Sequence, residues 1–221
     1  MAHRFTRAEI GFLVAMPLLW AVLLLFHPGG DGTQIYRDLD GNLTAWMTVH
    51  LGMLVFIPLM AVAVWLLLHG VEGTAARVSR ISVLVFAVFY GAFETLQGLG
   101  NGALVSAVDG VSGIDEAGRE AVVQDFAEHP LVRDLGVFSS IGGMAFLVAM
   151  VAAGLAVRRH AGASRGVVVL LCLAGLLITA HPPPFGPTGL ALFVSAVVLY
   201  IRGQAEGVTT PPEREPAGAP T

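Results

Sequence analysis

Four side chains capable of chemistry recur at helical spacing inside one apolar run: Tyr90, Glu94, Gln97 and Asn101, separated by four, three and four residues. At about 100° per residue they fall on one narrow stripe of a helix. Glu94 lies near the middle of its run, where a charge costs about 2.5–3.5 kcal/mol on insertion scales. Such a carboxyl must be protonated, paired or turned towards water. His50 is its expected partner. It sits about one and a half turns into the preceding apolar run, with Asn101 at similar depth and Glu94 deeper. His181 stands beside a proline cluster at the outer end of a later run.

Three chemistries compete for this group. The first is an outward-facing polar pocket that binds a small ligand or a divalent metal, because imidazole and carboxylate both ligate such ions. No HxxxH or HxxH pair sets two ligands on one helix. The second is acid–base catalysis by Glu94 with His50 on a lipid or isoprenoid, as an isomerase, cyclase or hydrolase. The third is haem ligation by His50 and His181. A haem ladder needs a second histidine pair, and His69 lies roughly 28 Å along the helix from His50 and about 100° around it. Against all three stands a purely structural reading, in which these groups only join helices as an accessory membrane subunit would. Glu94 and His50 are the candidate catalytic pair, and Tyr90, Gln97, Asn101 and His181 the candidate ligand-binding side chains. The residues specify no metal-ligand set and no cofactor.

Other reactive residues are read as bland. His27 and His129 flank the outer ends of two spans as interfacial residues, and Cys172 sits alone in an apolar run. No Walker motif, nucleophile elbow or HExxH occurs. The chain has no lysine, which excludes Schiff-base chemistry.

The elements that must position these groups are membrane spans. The chain has 221 residues, 55% hydrophobic and 13% charged, with net charge −4. That is about half the charge of a soluble domain, and it excludes a disordered chain and a basic nucleic-acid binder. Six apolar runs read as helices, since backbone groups find no partner in lipid: 10–26, 43–68, 81–105, 135–157, and a shorter pair at 167–180 and 188–201. His181 to Pro187 is too proline-rich for helix, so the last two runs span twice or form a re-entrant pair. The first run is expected to be a retained helix rather than a cleaved signal, as no small-residue cleavage site follows it.

Nine of the twelve arginines fall on one alternating set of loops, and ten of the sixteen acids on the other. The positive-inside rule makes the arginine side, with both termini, cytoplasmic. The expectation is an all-α, six-pass helical bundle of the cell membrane over 1–203, with a disordered cytoplasmic tail over 204–221. Its partners are the bilayer and a small apolar ligand or lipid, with no nucleic acid. Among the outer loops, Asp38 to Asn42 reads as a turn, since its glycine comes too early for a calcium loop. Residues 114–128 read as an amphipathic helix capped from Ser112 and Asp115, with Ala117, Ala121, Val122 and Phe126 on its apolar face. Trp46 suits the outer aromatic belt, Pro17 and Pro58 kink their spans, and Ala145, Ala149 and Ala153 mark a close-packed face.

Overall fold

The computed structural model describes residues 5–29 and 32–209, with side chains as far as 205. Among these, the secondary structure is entirely helical. The long elements are α1 (Arg7–Leu24), α3 (Leu43–Leu67), α4 (Thr74–Phe93), α7 (Val137–Ala161), α8 (Arg165–Leu177) and α9 (Phe185–Thr209). A π-helical segment, Glu94–Gly100, continues α4 into α5 (Asn101–Asp109). Two shorter helices are α2 (Ile35–Asp40) and α6 (Glu116–Ala127). Among the described residues, five helices are long and apolar enough to cross a membrane, with Thr74–Asp109 counted as one, and α8 is a shorter apolar helix. Residues 204–209, expected in the tail, belong to α9, and the rest of the tail lies outside the described residues.

Local sequence explains where these helices begin and end. Thr6 Oγ1 accepts the Glu9 N–H while the Glu9 carboxylate accepts the Thr6 N–H, a reciprocal cap at the start of α1. Ser164 caps α8 by accepting the Val167 N–H. Gly162 ends α7 in the left-handed conformation, at φ 66°, which costs glycine nothing. Arg80 donates to the Leu68 and Val71 carbonyls beyond the end of α3.

Each long helix packs on the next in sequence: α1 on α3, α3 on α4, α4 on α7, α7 on α8, α8 on α9. Helix α9 packs back on α1, closing a ring around a core that includes Trp20, Met53, Phe86, Phe146 and Phe193. The α4–α7 contact is held close by small residues. A Cβ on Gly142 would lie 2.8 Å from the Tyr90 nitrogen, Ala149 and Ala153 are fully buried, and Ser79 donates to the Ala149 carbonyl at 2.8 Å. Pro17 and Pro58 lie inside α1 and α3.

At one end of the ring, α2, α5 and α6 form a cap with its own small core: Ile35, Tyr36, Leu39, Trp46, Val105, Val108, Val123 and Ala127. Three sequence expectations need correction here. Asp38 and Asp40 belong to helix α2, and the turn starts at Gly41. The cap of α6 is Asp115, which accepts the Gly118 N–H, and not Ser112. The buried side of α6 carries Val123 and Ala127, whereas Ala117, Ala121 and Val122 are exposed. The reason is electrostatic. Glu120 accepts the Tyr36 and Arg37 N–H groups at the start of α2, and Glu116 pairs with Arg37. Glu116 and Glu120 are therefore turned towards α2 at the surface, where they meet the N–H groups of its first turn and a guanidinium.

Candidate functional site

His50, on the second turn of α3, is fully buried. Its Nδ1 lies 2.8 Å from the carbonyl oxygen of Trp46, one turn earlier. A carbonyl only accepts, so Nδ1 carries the proton and Nε2 keeps its lone pair. His27, just beyond α1, repeats the arrangement: its Nδ1 donates to the Pro28 carbonyl at 2.8 Å. His181, in the turn between α8 and α9, places Nδ1 3.2 Å from the Tyr90 hydroxyl. That hydroxyl donates its one hydrogen to the Thr179 carbonyl at 2.6 Å, so it accepts from His181. All three rings thus hold their proton on Nδ1.

The three rings meet. Ring centroids lie 5.2 Å apart for His27–His50, 5.0 Å for His27–His181 and 6.0 Å for His50–His181. One ring nitrogen from each lies within 4.8 Å of the other two. Nε2 of His50 and of His27 is buried with no hydrogen-bond partner in the protein. Burial pushes His27 below the ordinary imidazole range. Burial also lowers His181, with the neighbouring His27 and His50 adding to the effect. Both rings are therefore neutral at neutral pH and available as ligands.

Glu94 completes the group from the π-helical segment. It is fully buried, and neither carboxylate oxygen has a hydrogen-bond partner. Oε2 is 3.7 Å from His50 Nε2 and Oε1 is 3.6 Å from His181 Nδ1. Both distances exceed a hydrogen bond. Two ligands about 2.0–2.1 Å from one tetrahedral ion are separated by roughly 3.3 Å, so the His50–Glu94 gap is close to that between co-ligands. Glu94 is level with His50, not deeper as its sequence position suggests. The continuous helix Thr74–Asp109 has 36 residues, roughly 54 Å, so its last turns project past the other long helices into the cap.

The surroundings are built around His50. Trp46 stacks near its ring, 4.1 Å between centroids, and donates from Nε1 to the Gly98 carbonyl at 2.6 Å. Trp46 is thus an interior residue and not part of an aromatic belt. A Cβ on Gly98 would lie 2.8 Å from His50 Cβ and closer still to the ring, so only glycine leaves room for the imidazole. Gly102 likewise clears Trp46 and Met47.

Of the sequence candidates, Glu94, His50, His181 and Tyr90 come together. Gln97 lines the adjoining cavity. Asn101 is buried, but its amide turns back to the Gln97 carbonyl. His27 is the residue that sequence reasoning missed: a histidine at a span end looks interfacial, and only the packing of α9 against α1 and α8 brings it beside His181. Adjacent to the histidines lies a cavity of about 860 Å³, lined by residues of the cap loops, α7 and the end of α8. No known protein family, no curated protein and no solved structure matches this chain.

Proposed function

We propose that this chain is a multi-pass protein of the cell membrane that holds a divalent transition metal between His27, His50 and His181, with Glu94 beside the remaining coordination position. The observation that carries the reading is the convergence of three imidazoles, each offering a ring nitrogen within 4.8 Å of the other two, with Nε2 of His27 and of His50 buried and unpartnered beside an unpartnered carboxylate. Lone pairs facing one another in a dry interior are unfavourable unless a cation lies between them. Three imidazoles with one carboxylate suit zinc and the neighbouring divalent ions. The Trp46 and Pro28 carbonyls and the Tyr90 hydroxyl act as the outer partners that orient such rings. Closing on an ion requires movements on the order of 1 Å, which His27 and His181 can make because both stand on loops.

With an ion held by the three imidazoles, one position would remain for water, and Glu94, as a carboxylate beside it, would be placed to take that water's proton. The chemistry this arrangement supports best is hydrolysis, with Glu94 as general base. The arginine distribution supports six passes with both termini in the cytoplasm and the site in the outer half of the bilayer.

The test is the metal content of the detergent-purified protein after zinc loading and desalting, read by mass spectrometry. One ion per chain is expected, falling below about a tenth in His50→Ala and His181→Ala, given that loss of even an outer partner weakens binding 10–100-fold. Zinc retained equally by both variants would refute the reading. Glu94→Gln is expected to keep its ion and lose turnover.

A further inference from the structure

The cavity beside the histidines has two kinds of lining. Its polar lining includes His27, Gln97 and His181, together with the carboxylates of Asp38 and Asp134. An apolar arm runs between α7 and α8 along Met144, Leu147 and Leu176. Met144 and Leu176 are 63% and 57% exposed on the outside of the ring, where the apolar helices face lipid. Met144 lies seven residues into α7, roughly 10 Å below its outer end, within one leaflet of a bilayer whose hydrocarbon core is about 30 Å thick. At Gly143 the α7–α8 seam is in ordinary contact, a Cβ there meeting Thr179 at 3.7 Å, and it tightens further along, where a Cβ on Gly175 would lie 2.7 Å from Met150. One cavity thus has in its lining both the histidines and side chains exposed on the apolar outside of the ring at the α7–α8 seam.

We infer that the metal centre's ligand is a long-chain amphiphile of the outer leaflet, which enters between α7 and α8, lays its chain against Met144, Leu147 and Leu176, and presents its head to the ion. Asp38 and Asp134 in the cavity lining disfavour an anionic head, so the head is neutral or cationic. A cavity of about 860 Å³ accommodates a single chain with its head, within the usual range of about 300–1,000 Å³ for small-molecule sites. The inference rests on the metal reading above and adds to it the class of ligand and its route.

Chelation by neutral hydroxamates tests this. Protein loaded with cobalt in place of zinc is titrated with acetohydroxamic acid and with dodecanohydroxamic acid in detergent, and the visible d–d bands report coordination. The long chain is expected to bind at least about 100-fold tighter than the short one, as burial of many methylenes implies. Met144→Trp, which fills the apolar arm, should reduce that ratio to below about 5-fold. Val88→Trp, on the lipid face of α4 and away from the cavity, should leave the ratio intact. Cobalt content of each variant verifies that the centre is assembled. Equal affinity for both hydroxamates, or a ratio unaffected by Met144→Trp, overturns the lateral route while the metal reading stands. Failure of the wild-type protein to take up cobalt or zinc removes the metal reading itself.

Discussion

Each histidine of the centre has its tautomer set by a different acceptor: a carbonyl within its own helix for His50, the next residue's carbonyl for His27, and a tyrosine hydroxyl for His181. The last is the easiest to remove without disturbing the backbone. Tyr90→Phe deletes both the acceptor of His181 and the bond to Thr179, and zinc affinity should fall by about 10–100-fold, measured by competition with a chromogenic chelator. Gly98→Ala should do the same without altering any ligand, because its Cβ displaces His50. An unchanged affinity in Gly98→Ala would mean that His50 lies outside the centre. At this scale Glu94 and His50 were legible in the sequence because each is a polar side chain in an apolar run, an expensive placement. His27 was not, since a histidine at a span end costs little and signals nothing. Nor could the Trp46 environment be read, because interfacial and interior tryptophans have the same neighbours in sequence.

Among the elements, the π-helical segment is what lets one helix serve two purposes. It presents Glu94 to the histidines and then continues as α5 into the cap, where Val105 and Val108 are buried. Such a segment holds an extra residue per turn, and these bulges occur often at functional sites. Nothing in the composition of Glu94–Gly100 announces it beyond the glycines at 98 and 100. The apolar helices themselves were legible from hydropathy alone, although five of them among the described residues, not six, are long and apolar enough to cross a membrane. Helix α2, with six residues, was too short to show a period, and the face of α6 was misjudged because its acids pair with α2. The cap also carries a pH response. Tyr36 donates to Asp109, and this hydrogen bond raises its phenol above the ordinary 10.0. A raised folded-state pKa stabilises the cap fully below pH 10.0 and less as pH rises through the folded value. Backbone hydrogen exchange in α6 should therefore quicken above that pH in the wild type and be less pH-sensitive in Tyr36→Phe.

For the whole molecule, the alternation of arginine-rich and acidic loops was readable from one sequence, whereas closure of the ring by α9 against α1 was not, because no local pattern records which distant helices touch. The proposed orientation has a direct check. In a Cys172→Ser background, Glu128→Cys should react with a membrane-impermeant maleimide added outside intact cells, and Ala163→Cys only after lysis. The reverse pattern would invert the topology and place the site in the inner leaflet.

The chain order of the ring has a further consequence for biogenesis. His27 follows the first long helix and His181 precedes the last, and the two meet only where α9 returns to α1. Until that last helix has been inserted and docked, the emerging protein holds His27, His50 and Glu94 without His181 fixed beside them. Metal uptake would then mark the end of assembly, and a chain stopped after Pro184, which keeps His181 but lacks α9, should enter the membrane yet never retain zinc.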